Sequence, residues 1–108
     1  MITIDDFKKV DVRVGKIISC EYIENSKHST HKLSIDLGEA GTKISCARLV
    51  NYSNEELVGR LILCVVNFPP RQIGKNLSEV LTLGVPNGKG ECVLAVPDRD
   101  AEIGGRLY

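Results

Sequence analysis

The chain has 108 residues, with 14 Lys plus Arg against 14 Asp plus Glu, so its formal net charge is zero. That length and a 43% apolar composition fit one globular domain, and a balance of zero does not by itself announce a nucleic-acid partner. No apolar run of membrane-spanning length occurs, and Met1-Ile2-Thr3-Ile4-Asp5-Asp6 has neither the basic start nor the apolar core of a signal peptide, so a cytoplasmic protein without membrane insertion is expected.

Thr3 followed by Asp5 and Asp6 reads as a helix cap with acids in the first turn, and predicts a short helix to about Val10. Val10-Asp11-Val12-Arg13-Val14 then alternates strictly, the period of a strand. Gly15 and the pair Ile17-Ile18 break that period, which predicts a bulge in a long, bent first strand. The segment 24–30 is polar and reads as a loop. Leu33 to Leu37 and Thr42 to Leu49 alternate again around Gly38-Glu39-Ala40-Gly41, so a hairpin with one polar and one apolar face is expected. Ser53 and Glu56 form a capping box ahead of a helical turn. Leu61 to Val66 is continuously apolar and predicts a strand buried on both faces. Pro69-Pro70 argues against helix or ladder over 67–71. Glu79 to Leu83 and Cys92 to Val96 read as two more strands, with the turn cluster Pro86-Asn87-Gly88-Lys89-Gly90 between them. Five or six short strands with little helix argue for one small all-β barrel, since closure removes the exposed edges of such a sheet. A domain this small buries only about two-thirds of its unfolded surface, so oligomerisation would help it.

The zero charge is uneven. Residues 1–11 and 91–108 are net acidic. The centre, 12–90, holds Arg13, Lys16, Lys27, Lys32, Lys43, Arg48, Arg60, Arg71, Lys75 and Lys89 against seven acids, a net of +3. Cys20, Cys46, Cys64 and Cys92 form no C-x-x-C pair. Each lies in or beside an apolar or alternating run, so buried free thiols are expected, with disulfides left open by the even number. His28 and His31 share an H-x-x-H spacing without a nearby Cys or acidic third ligand, which argues for a polar loop rather than a metal site. No nucleophile elbow, P-loop or dinucleotide glycine fingerprint is present, so neither catalysis nor a cofactor is expected.

Several segments together resemble the tRNA-binding domain family. Val12-Arg13-Val14-Gly15-Lys16-Ile17 is similar to its opening strand, and Lys32-Leu33 with Asp36-Leu37-Gly38 to its second. Leu57-Val58-Gly59-Arg60 with Val65-Val66-Asn67, then Arg71-Gln72-Ile73-Gly74 and Ser78, resemble its later steps. Val65 to Ile73, Ser78-Glu79-Val80-Leu81 and Ile4-Asp5-Asp6-Phe7 look most like the stand-alone CsaA-type branch, regarded as export-related chaperones. The resemblance implies a five-stranded OB-fold Greek-key barrel that pairs into a homodimer, and with the short N-terminal helix, the helical turn and one or more extra C-terminal strands this is the fold expected. It implies a non-catalytic binder of tRNA or structured RNA, or alternatively a chaperone for unfolded or presecretory peptides.

Two segments depart from the family. The loop Asn25-Ser26-Lys27-His28-Ser29-Thr30-His31 replaces its usual H-P-x-A-D pattern, and Glu79 sets a negative charge beside Ser78. OB folds bind along the exposed face of strands two and three, framed by two loops. The expected RNA-binding set is therefore Lys32, Lys43 and Ser45 on that face, with Ser34 beside them. Lys27, His28, His31, Asn67, Arg71, Lys75, Asn76 and Ser78 would frame it. Arg and Lys would pair with phosphates, and Asn and Ser would donate hydrogen bonds. No aromatic stands on either hairpin strand, so recognition by shape and backbone charge is expected. Phe68, Pro69, Pro70 and Ile73 are the expected wall of a peptide-binding or dimer groove.

Overall fold

Thr3 starts the first element as its capping box predicts. Its hydroxyl accepts from the Asp6 amide and the Asp6 carboxylate accepts from the Thr3 amide, opening helix α1 (Ile4–Lys8). The structure is a computed structural model and describes residues 1–24, 26 and 28–108.

Strand β1 (Val12–Tyr22) is the long, bent strand expected. Its first half pairs with β4 (Leu61–Val65) and its second half with β2 (His31–Asp36), both antiparallel. The register against β2 slips between Ile17 and Ser19, and Ile18 turns outward there. Gly15 permits the bend, because a Cβ at that position would run into the Ile35 side chain.

The turn at Gly38–Ala40 returns the chain into β3 (Thr42–Ala47), which pairs with β2 along its length. Ser53 caps α2 (Asn54–Leu57) by accepting from the Glu56 amide. β4 follows. Its neighbour across the sheet is the short β7 (Leu81–Thr82), so the five-stranded order is β3-β2-β1-β4-β7.

Three features differ from expectation. Arg71–Ile73 and Asn76–Ser78 form a hairpin, β5 and β6, immediately after the prolines. Proline removes its own N–H only, and Gly74 at φ +59° makes the tight turn. The strand expected over 79–83 is reduced to β7, because its start is diverted to β3. Gly84–Pro86 then pairs with Cys92–Leu94 as β8 and β9. Finally, the C-terminal segment lies along β1: Gly104 N–H donates to the Val14 carbonyl at 2.7 Å, and Val14 and Leu107 N–H donate to Gly105 and Val12 at 2.9 Å.

The barrel is nearly closed between β3 and residues 78–82, through side chains as well as backbone. Glu79 and Val80 N–H both donate to the Ile44 carbonyl. The Glu79 carboxylate accepts from Ile44 N–H, and Ser78 Oγ accepts from Cys46 N–H, each at 3.0 Å. Inside lie Ile17, Leu33, Ile35, Leu37, Leu49, Leu57, Ile62, Cys64, Val80 and Leu94. All four thiols are free, but of the expected buried set only Cys46 and Cys64 are buried, while Cys20 and Cys92 are half-buried. Burial holds Cys64 neutral, pushed up to about 12. Cys20 is pushed up to about 11 by burial, and its thiol donates to Asn54 Oδ1 at 2.9 Å. No helix among the described residues is long and apolar enough to cross a membrane.

Candidate nucleic-acid interface

Cross-strand partners in an antiparallel pair share a face. Lys32 pairs with Cys46, and Ser34 with Ile44, so these four stand on one side of the hairpin. Leu33 pairs with Ser45 and Ile35 with Lys43, which sets Ser45 and Lys43 on the side of the core residues. The expected grouping of Lys32, Lys43 and Ser45 on one exposed face is therefore not what forms. Ser45 is 1% exposed and shares a 2.8 Å hydrogen bond with Thr82 Oγ1 across the barrel closure. Its polarity serves the seam. Lys43 is half-exposed at the rim, with Nζ 3.9 Å from Glu79. Lys32 is half-buried, with Nζ 3.6 Å from Glu21.

The framing residues divide as well. His31 is 1% exposed. Its Nδ1 lies 2.6 Å from Thr30 Oγ1, and its ring lies 4.8 Å from the Tyr22 ring. Burial lowers its pKa and the nearby Tyr52 backbone partly offsets this, yet Nε2 makes no hydrogen bond of acceptable geometry. It is thus a core histidine rather than a loop cation. Ser78 is 3% exposed, with its hydroxyl directed to Cys46 N–H and the Val80 carbonyl. It braces the barrel and offers nothing to a phosphate. Asn67 is exposed, but both ends of its amide are used. Oδ1 accepts from Asp11 N–H at 2.9 Å and Nδ2 donates to the Lys9 carbonyl at 2.7 Å. Lys75 is exposed at the β5–β6 tip, and Asn76 is half-buried beside it. Lys27 lies outside the described residues.

What does come together is a cationic groove of about 240 Å³. His28, Arg71 and Arg48, the residue after β3, line it together with Cys46, Ile73 and Thr82. All three cationic or titratable residues are exposed, and among the described residues no acid lines the groove. Arg48 was not among the expected site residues. The signal for it was its place in the basic centre immediately after a strand.

An apolar concavity of about 320 Å³ adjoins the groove and shares Arg71 and Leu81 with it. Its wall is Phe68, Pro69 and Pro70, with Phe68 49% exposed. Of the expected groove residues, Ile73 lies in the cationic groove instead. Among the described residues, no cluster of three or more His, Cys, Asp or Glu is placed to hold a metal ion.

Comparison with known proteins bears on this arrangement. The family described as "Putative tRNA binding domain" matches residues 12–106. Methionine--tRNA ligase of Leptospira biflexa serovar Patoc is 41% identical over 108 residues, taking in 98% of this chain and 15% of the ligase. The chain thus spans about 15% of the length of the curated relatives it matches. The CsaA chaperone protein of Picrophilus torridus superposes with a TM-score of 0.93 at 41% identity, over 100% of both chains. Chaperone CsaA of Bacillus anthracis str. Ames gives a TM-score of 0.88 at 36% identity, over 100% of this chain and 99% of that one. The MetRS related protein of Pyrococcus horikoshii, 23% identical over 100% of this chain and 98% of that one, shares the fold at a TM-score of 0.87. Because the family match runs from the start of β1 to the C-terminal segment that closes against it, the chain belongs to the tRNA-binding-domain family.

Proposed function

We propose that the protein is a non-catalytic, CsaA-type binder of tRNA or structured RNA that holds the phosphate backbone in the groove between His28, Arg48 and Arg71. The groove itself carries this reading: its cations are exposed, and among the described residues no carboxylate lines it. The family match and the likeness to a methionine--tRNA ligase support it. Shape and charge would do the recognition, since the groove holds no aromatic platform.

The test is a titration with total tRNA across a salt series. Each phosphate contact contributes about 0.7–0.9 to the slope of log affinity against log salt, so Arg71→Ala should weaken binding and flatten the slope by about that amount. An unchanged slope refutes the site.

A second reading has its own observation. The Phe68-Pro69-Pro70 concavity adjoining the groove would suit apolar side chains of unfolded or presecretory peptides, the chemistry of a chaperone. The likeness to CsaA chaperones supports it. Peptide binding should then persist at high salt and fall with Phe68→Ser. We assign a homodimer to either function. Its support is a second apolar surface where Ile4, Phe7 and Val10 meet Leu107 and Tyr108, all but Phe7 exposed.

A further inference from the structure

A second concavity, of about 620 Å³, is lined from the same two segments that line the cationic groove. The two share their framework. The groove is lined from 28–29 and 46–49, and this cavity from 30–31 and 50–53, with Tyr22 closing it from the end of β1. Successive residues of the same two segments therefore face the two sites.

Their chemistry differs. Among the described residues, no Lys, Arg, Asp or Glu lines the second cavity. Two of the chain's aromatic residues do, Tyr22 and Tyr52. Tyr52 is held in place: its hydroxyl accepts from Leu94 N–H at 3.1 Å and the Arg60 guanidinium lies 5.5 Å from its ring centre. Tyr22 is open. It is 59% exposed and leans on the His31 ring at an interplanar angle of 50°. The Asn51 side chain is exposed at the mouth.

The wall also contains the one buried side-chain nitrogen or oxygen among the described residues that lacks a hydrogen bond, His31 Nε2. Thr30 Oγ1 already accepts from Leu49 N–H at 2.8 Å. Its proton has two possible acceptors, His31 Nδ1 at 2.6 Å and the Ala47 carbonyl at 3.4 Å. The shorter contact favours donation to Nδ1, which leaves Nε2 carrying the ring proton, with the Tyr52 backbone nearby but no hydrogen bond of acceptable geometry made to it.

Among the described residues a phosphate would find no cation here, and an aliphatic side chain would leave Asn51 and His31 without a polar partner. A planar uncharged heterocycle with acceptors on its edge satisfies all of these. We infer that this cavity takes an unpaired nucleobase, stacked on Tyr22 with its edge toward Asn51 and His31, while the adjoining phosphates lie in the cationic groove. The inference rests on the RNA-binding reading above and deepens it: the protein holds a single extruded base as well as a backbone. The cavity's size is within the ordinary range for small-molecule sites.

The probe is a hairpin RNA with an unpaired loop, compared with the same hairpin made abasic throughout that loop, both measured by fluorescence anisotropy. Base stacking on one aromatic side chain corresponds to an about five- to 150-fold loss of affinity on alanine substitution. Tyr22→Ala should cost that much on the intact loop and nothing on the abasic loop, with the salt slope unchanged. Tyr22→Phe keeps the ring and should bind the intact loop nearly as the wild type does. An equal effect of Tyr22→Ala on both RNAs, or no effect on either, overturns the inference. If the wild type binds neither RNA, the RNA-binding reading has failed separately. Free adenosine, guanosine, cytidine and uridine then decide the cavity by NMR: shifts of the Tyr22 and His31 rings that Tyr22→Ala abolishes sustain a base site, and their absence overturns it.

Discussion

Replacing Glu79 tests how the barrel is closed. Its carboxylate accepts from Ile44 N–H at 3.0 Å, while its own N–H and that of Val80 donate to the Ile44 carbonyl at 2.7 and 3.2 Å. Lys43 Nζ lies 3.9 Å from the second carboxylate oxygen, with side-chain exposures of 42% for Lys43 and 31% for Glu79. Glu79→Ala leaves a part-buried N–H without an acceptor. A hydrogen bond to a charged group contributes about 1.5–3 kcal/mol, and a pair this exposed adds at most about 1 kcal/mol. The expected loss is therefore about 2–3 kcal/mol. Glu79→Gln keeps an oxygen for Ile44 and gives up only the charge, so it should cost about 1 kcal/mol. Urea unfolding of the three proteins measures this directly, with the m-value unchanged if the native barrel still forms. Equal losses for the two variants would mean that charge, and not the hydrogen bond, holds the seam. A loss below about 0.5 kcal/mol for Glu79→Ala would refute the closure argument altogether.

Two further predictions concern the C-terminal segment. Arg13 donates to Asp11 at 2.6 Å, and the Arg106 guanidinium lies 3.5 Å from the same carboxylate. The Arg13 hydrogen bond holds the Asp11 pKa below its ordinary 3.8 against the opposing pull of burial. A lowered folded-state value means that the stabilisation is complete above the unfolded carboxylate pKa and is lost as the pH falls through the folded one. Asp11→Asn should therefore be less stable than the wild type at pH 7, and the gap should close below about pH 4, measured as urea midpoints. A gap that does not change with pH would show that the charge contributes nothing. Gly104 has φ +84°, and a Cβ there would meet the Leu37 carbonyl oxygen at 2.7 Å. Gly104→Ala should cost more than about 1 kcal/mol. It should also speed amide exchange at Val14 and Leu107, which bond across this segment, but not at Cys64 in the β1–β4 ladder. Retained protection at Val14 and Leu107 would contradict it.

Local chemistry was legible in the sequence because its causes are local. The capping boxes at Thr3 and Ser53 open the two helices, and the broken alternation at Ile17-Ile18 marks the slip in β1. The orientation of β3 was not legible. Ser45 and Lys43 look like solvent-facing polar positions, yet Ser45 finds its partner in Thr82, 37 residues away. Polarity in a strand says only that a hydrogen-bond partner exists, and water is one choice among several. The same holds for Ser78 and Asn67, whose polar atoms serve Cys46 and the chain before β1. An extra C-terminal strand was expected, but not its pairing with β1, which backbone hydrogen bonds make together with Arg13 donating to the Gly104 carbonyl and Arg106 beside Asp11.

Charge shows how pairing reshapes a composition. The central excess of +3 suggests a basic face, but several of its cations are matched by nearby acids: Arg13 by Asp11, Lys32 by Glu21 and Lys43 by Glu79. Among the described residues, the groove that Arg71 lines has no acid in its lining. A phosphate approaching the hairpin face must compete with carboxylates already within 4 Å of the lysines, whereas one entering the groove meets none in its walls. The binding field is thus set by where the acids were placed, and not by the sum. That placement also corrects the role first given to Glu79. Its negative charge does not stand before a phosphate-facing serine, because Ser78 faces inward and Glu79 is bound to Ile44 and Lys43. A neutral chain can in this way carry a local cationic site, and the few cations in that site would give an RNA bound there a modest affinity and a shallow salt slope, about 0.7–0.9 per phosphate contact.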